Sequence, residues 1–139
     1  MSTSRISPAT RRFWRALALG YLVCLSWMLL TPDPWILFGS SGHQLSEQVE
    51  NALADHFQHA AAFLLLAFLG QLSLRDTRAG SWQVMAAWLL GYALAVEGSH
   101  AWIPNRYFEW SDLLANATGT VIGMLLARLL LPSPGSPES

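Results

Sequence analysis

The residues best suited to chemistry are three pairs of polar side chains, each spaced to share one face of a helix. The pairs are Asp55 with His59, Glu97 with His100, and Asp112 with Asn116. Carboxylates next to imidazoles suit acid–base work, because histidine gains and loses its proton near neutral pH. Arg106, between the second and third pairs, suits phosphate, because its planar guanidinium donates two parallel hydrogen bonds. These residues predict an acid–base or anion-binding site if the fold brings the pairs together.

The elements that must position them are apolar. The chain has 139 residues, of which 53% are hydrophobic and 12% charged, against about 25% charged in an average globular domain. Four stretches are near the 18 residues that cross a bilayer as a helix: about 13–30, 57–74, 81–102 and 111–131. We therefore predict an all-α fold: one domain, residues 1–139, forming a polytopic membrane bundle of four transmembrane helices, with a disordered proline-rich tail over 132–139. We interpret the first stretch as a retained membrane anchor and not as a cleaved signal peptide, since no small-residue cleavage site follows it.

The arginines orient this bundle. Apart from Arg106, they precede the first stretch or lie just inside its start, lie between the second and third, or lie near the end of the fourth. Because positive residues in short loops stay in the cytoplasm, both termini are predicted to be cytoplasmic. The second stretch then enters the membrane from outside, the third ends there and the fourth starts there. The three polar pairs should meet at the outer boundary of the membrane, within reach of Arg106.

Several of these residues also have a purely structural interpretation. Asp55 and Asp112 can stabilise helix starts, and Asn116 can hold helices together by hydrogen bonding. Glu97 is harder to explain, because the dipole at a helix C-terminus disfavours an anion. It needs a partner such as Arg106, His59 or His100. In the fourth stretch, Gly119 and Gly123 form a small-xxx-small pair, which predicts close approach of another helix.

Composition excludes several function classes. A net charge of −1 provides no basic surface for nucleic acid. The single cysteine, Cys24, allows neither a disulfide framework nor a cysteine-ligated zinc site within one chain. Metal binding through His59, His100 and carboxylates is conceivable. We nevertheless assign no cofactor and no metal ligands, because the helices carry no close ligand pair beyond the weak spacing of His56 and His59.

The motifs DHFQH at 55–59, EGSH at 97–100, IPNR at 103–106 and SDLLANATGTVIG at 111–123 together resemble the signature of the VanZ-like family of small membrane proteins. Departures are His56 in place of a lysine, Ala60 in place of an aromatic residue and His100 in place of a glutamine. The resemblance implies a multi-pass protein of the bacterial inner membrane. The family's namesake is linked to low-level resistance to teicoplanin, a glycopeptide, but the resemblance supplies no reaction.

Four functions are considered. The first is binding or remodelling of an anionic envelope lipid or cell-wall precursor, with Arg106, His100, Asp112 and Asn116 as ligand-binding residues. The second is a membrane enzyme acting on a lipid-linked substrate, with Glu97 or Asp55 as general base and His59 or His100 as proton carrier. The third is proton-coupled transport, for which buried carboxylates and histidines are typical, although they occupy only one end of the predicted bundle. The fourth is a charge network that only closes the bundle. Membrane lipids are the expected partners, and the oligomeric state is left open.

Overall fold

The computed structural model describes residues 7–32, 52–74, 81–104 and 106–130. Within these ranges the chain forms four α-helices and no strands. They are α1 (Pro8–Leu30), α2 (Ala52–Leu74), α3 (Trp82–Ser99) and α4 (Trp110–Leu130), with a 3-10 turn over His100–Trp102. The predicted all-α class is confirmed, and the predicted tail over 132–139 lies outside the described residues.

Helix boundaries differ from the predicted ones for local reasons. α1 begins at Pro8 instead of near residue 13, because the Ser7 hydroxyl accepts a hydrogen bond from the Thr10 amide at 3.1 Å. Proline at the first helical position needs no amide partner, so Ser-Pro is a favourable start. α3 tightens into the 3-10 turn from His100 onward, within the predicted third stretch. The last turn of that stretch is therefore not α-helical.

Three helices are long and apolar enough to cross a membrane. They are α1 over Pro8–Leu30, α2 over His56–Leu74 and α4 over Trp110–Leu130, with mean hydropathies of 1.6, 1.5 and 1.6. α3 is not among the three, and its 18 residues include Gln83 and Glu97. The structure thus supports three of the four predicted spans on length and composition.

α2 and α4 pack closely and run parallel. A Cβ atom on Gly119 would overlap the backbone of Ala60, and one on Gly123 would overlap the Leu64 carbonyl. The predicted close approach at the glycine pair is confirmed, with α2 as the neighbouring helix. α1 and α3 run in the opposite direction. For α1 this follows from two hydrogen bonds in reverse order, from Arg15 to the Ser73 carbonyl and from Tyr21 to the Ala62 carbonyl.

The bundle buries apolar side chains inside and also presents them outside. Phe63 and Ala93 are fully buried in the core. Large apolar side chains cover the outer faces, among them Val23, Trp88 and Leu129 at 69%, 74% and 81% exposure. In water such a surface would favour aggregation, whereas in hydrocarbon it is the expected outer surface of a helical bundle.

Candidate functional site

Alternating helix direction brings four helix ends together at one end of the bundle. These are the C-terminal ends of α1 and α3 and the N-terminal ends of α2 and α4. Five buried polar residues lie there: His59, Glu97, His100, Asp112 and Asn116, none more than 7% exposed. We call them the buried polar cluster. The structure therefore places together five of the seven residues that the sequence predicts for a site.

The parallel packing of α2 and α4 aligns the histidines of one helix with the polar residues of the other. His59 Nδ1 lies 3.1 Å from Asn116 Oδ1, and His59 Nε2 lies 3.7 Å from Asp112 Oδ2. One turn earlier, His56 Nδ1 lies 3.0 Å from Asp112 Oδ1. Asp112 is in the first turn of α4, where the positive end of the helix dipole favours a carboxylate.

α3 contributes Glu97, which is fully buried at 0% exposure. Its Oε2 lies 3.3 Å from His100 Nδ1, so His100 is the neighbour that the sequence requires for this carboxylate. Neither Glu97 oxygen forms a hydrogen bond of good geometry with any described residue, although the backbone amide of Glu109 lies near the carboxylate. His100 is held from its other side, where Nε2 donates to the Leu29 carbonyl at 3.0 Å. This bond connects the end of α1 to the cluster.

Arg106 lies at the same end but contacts a different partner. Its Nη2 donates to the Met28 and Thr31 carbonyls at 3.4 and 3.3 Å. These carbonyls belong to the C-terminal end of α1, where they have no partner within the helix. Among the described residues, Arg106 forms no ion pair with Glu97. The sequence expectation that Arg106 reaches the cluster is therefore not met by the observed contacts.

One predicted residue is placed only by its backbone. Asp55 lies in α2, one turn before His59, but its side chain is outside the described part of the chain. Its predicted role as a general base therefore stays a prediction.

Two residues near the cluster were missed as site candidates. His56 appears in the sequence as a departure from the family pattern, yet it contacts Asp112. Thr120, one turn beyond Asn116, is fully buried, and its hydroxyl has no partner among the described residues. The spacing of residues 112, 116 and 120 along one face of α4 was the available signal for Thr120.

Three members of the buried polar cluster are close enough to share a metal ion. His59, Glu97 and Asp112 each offer one ligand atom, and these atoms lie within 4.8 Å of one another. Each residue comes from a different helix. The spacing of residues along a single helix, on which the sequence prediction of no metal ligands depends, cannot reveal such a set.

The fold and the site define a helical protein with three membrane-span-like helices and buried ionisable groups at one end of its bundle. The sequence profile of the VanZ/LLP1 family matches residues 17–131, and the chain belongs to this family. The resemblance drawn from the motifs is confirmed. No curated protein and no solved structure matches the chain significantly.

Proposed function

We propose that the chain is a multi-pass protein of the bacterial inner membrane, with four spanning helices and cytoplasmic termini. α3 is 18 residues long, and at about 1.5 Å per residue it approaches the thickness of the hydrocarbon core. Arg11, Arg12 and Arg128 lie at the bundle end opposite the buried polar cluster. Under the positive-inside rule, that arginine-rich end is cytoplasmic and the cluster faces outward.

At this outward end, the chain binds or remodels an anionic envelope lipid or a lipid-linked cell-wall precursor. The observation that carries the proposal is Glu97, a fully buried carboxylate without a hydrogen bond from the described residues. An ionisable group buried within a membrane bundle is costly, so function is its first explanation. A site for an envelope precursor would also alter susceptibility to glycopeptides, which is the property linked to the family's namesake.

Arg106 provides the positive charge for an anionic headgroup. It is partly exposed, and its hydrogen bonds to described residues involve Nη2 alone. Its remaining guanidinium donors face no described acceptor, and two of them suit one phosphate. In this arrangement Arg106 bonds the carbonyls at the end of α1 through Nη2 and contacts the ligand through its other donors at the same time.

An acid–base enzyme is the second candidate, and the contact between Glu97 and His100 favours it. The two side chains are 3.3 Å apart, which is close to hydrogen-bond reach, and they are buried away from water. Such a pair can take up and return a proton. A lipid-linked substrate bound at Arg106 would present its headgroup at the same end of the bundle.

Native mass spectrometry in mild detergent with phosphatidylglycerol and phosphatidylcholine tests the binding proposal. Arg106→Gln removes the charge but keeps a side-chain amide that can donate hydrogen bonds. Arg128→Gln is the matched control, because Arg128 lies at the other end, over the Trp82 ring at 5.2 Å. We expect preferential retention of phosphatidylglycerol by the parent and by Arg128→Gln, and loss of that preference in Arg106→Gln.

Equal losses in the two variants would mean that the lipid binds arginines without a specific site. Unchanged retention in Arg106→Gln, together with a lower melting temperature, would leave Arg106 with only its role at the end of α1. Either result contradicts the proposed ligand site.

A further inference from the structure

We infer that His59, Glu97 and Asp112 bind one divalent transition-metal ion, for which Zn²⁺ is the probe. This inference goes beyond lipid binding and does not depend on it. The three residues are buried, come from α2, α3 and α4, and bring their ligand atoms within 4.8 Å of one another. Ligands around tetrahedral zinc are typically about 3.4 Å apart, given metal–ligand distances near 2.1 Å. Small side-chain movements are enough to close the site.

The hydrogen bonds of His59 fix its ring for metal binding. In the neutral ring, Nδ1–H donates to Asn116 Oδ1 at 3.1 Å, which leaves a lone pair on Nε2. This Nε2 atom lies 3.7 Å from Asp112 Oδ2. Two acceptors facing each other repel unless a positive centre lies between them. A histidine oriented by an oxygen at its far nitrogen is the usual arrangement of a metal ligand.

His100 resembles His59: one ring nitrogen bonds an oxygen, and the other lies near a carboxylate. Its Nε2 donates to a backbone carbonyl, that of Leu29, so the Nδ1 of the neutral ring is an acceptor. This acceptor faces Glu97 Oε2 at 3.3 Å. With neutral histidines and both carboxyl groups ionised, Glu97 and Asp112 give the cluster two negative charges and no positive charge. One divalent cation balances that charge.

Glu97 provides evidence for a metal site that is independent of the short distances between the three ligand atoms. It is 0% exposed, and both of its oxygens lack hydrogen bonds within the described part of the chain. A buried anion without hydrogen bonds or a bound cation is strongly unfavourable. Because one of its oxygens lies in the three-ligand set, coordination would satisfy a side chain that the protein leaves unsatisfied.

Protonation of the histidines is the competing explanation, and the distances distinguish the two. A protonated His59 would draw Asp112 to about 2.8 Å, the length of a charge-assisted hydrogen bond. The observed 3.7 Å is too long for one, although it fits two ligands of one ion. One imidazole and two carboxylates suit Zn²⁺, Mn²⁺ or Fe²⁺, and three protein ligands leave a position open for water or for a phosphate oxygen.

The test is the metal content and thermal stability of the full chain in detergent. The protein is stripped with a chelator, loaded with Zn²⁺ and desalted, and its metal is measured by inductively coupled plasma mass spectrometry. We expect about one Zn²⁺ per chain and a higher melting temperature for the loaded protein. If the parent retains no Zn²⁺ and its melting temperature does not change, the site does not exist.

Variants locate the ion. We expect Glu97→Gln and Asp112→Asn to weaken Zn²⁺ binding by more than tenfold, and Asn116→Ala, which removes only the group that orients His59, by about tenfold. Glu109→Gln is the control, because Glu109 is an exposed carboxylate at the same end. Zinc binding that survives Glu97→Gln, or that is lost equally in Glu109→Gln, overturns the assignment.

Arg106→Gln separates this inference from the proposed lipid site. It should retain about one Zn²⁺ per chain, since Arg106 is not one of the three ligands. Zinc binding without lipid preference would support the metal site and contradict the lipid site. Lipid preference without zinc binding would support the lipid site and contradict the metal site.

Discussion

At the scale of single residues, Glu97 is the side chain whose position is hardest to explain by stability. It lies in the last turn of α3 and is fully buried, and its Oε2 lies 3.3 Å from His100 Nδ1. The sequence marks it as unusual through the helix dipole alone. Its complete burial results from packing against α1, α2 and α4, and the local sequence around Glu97 does not predict this packing.

Glu97→Gln separates a functional charge from a stabilising one. Glutamine has nearly the same shape, and its amide can donate to His100 Nδ1. In metal-free protein we expect the free energy of unfolding to stay within about 1 kcal/mol of the parent, because removing a buried charge offsets the change in contact with His100. Denaturant titration in mixed micelles measures this. A loss above about 3 kcal/mol would instead identify a buried Glu97–His100 ion pair that stabilises the fold.

At the scale of elements, the site depends on how closely α2 and α4 approach each other. Gly119→Ala would place a methyl group against the Ala60 backbone, which cannot move as a flexible side chain can. Overpacking of this kind costs about 1–3 kcal/mol. We expect a lower melting temperature, and we expect weaker contact between His59 and Asn116, visible as a changed histidine NMR signal.

Gly91→Ala, in α3, is the matched control for a glycine-to-alanine change that does not affect the packing of α2 against α4. A Cβ atom at Gly91 would meet nothing within 4 Å, and alanine favours a helix over glycine by about 1 kcal/mol. We expect equal or higher stability in this variant. Similar losses of stability in both variants would show that the glycines matter for helix flexibility and not for the approach of α2 to α4.

The sequence predicts the elements well and the contacts between them only in part. Apolar length gives the helices, and pairs three or four residues apart give the polar face of each. The position of Arg106 could not be predicted, because the segment before α4 has no periodicity to orient it. The carbonyls at the end of α1 are hydrogen-bond acceptors at 3.3–3.4 Å, and they, not Glu97, are its observed partners.

At the scale of the whole molecule, the two ends of the bundle differ in charge. At the arginine-rich end, Arg15 Nε donates to the Ser73 carbonyl at 3.3 Å. A cationic side chain therefore binds the C-terminal end of α2. The other end carries the buried polar cluster. Under the orientation proposed above, a ligand that reaches Arg106 or Glu97 would come from the outer surface.

Labelling of single cysteines tests this direction. Cys24, the only cysteine, is first replaced by serine, and Ser7→Cys or Ser111→Cys is then introduced. Both serines are exposed, one before α1 and the other in the first turn of α4, so they lie at opposite ends of the bundle. With a maleimide that crosses the outer layers but not the inner membrane, Ser111→Cys should react in intact cells and Ser7→Cys only after lysis. The opposite pattern would place the buried polar cluster in the cytoplasm. An envelope precursor exposed only outside would then not reach it, and the ligand would have to be a component of the inner leaflet.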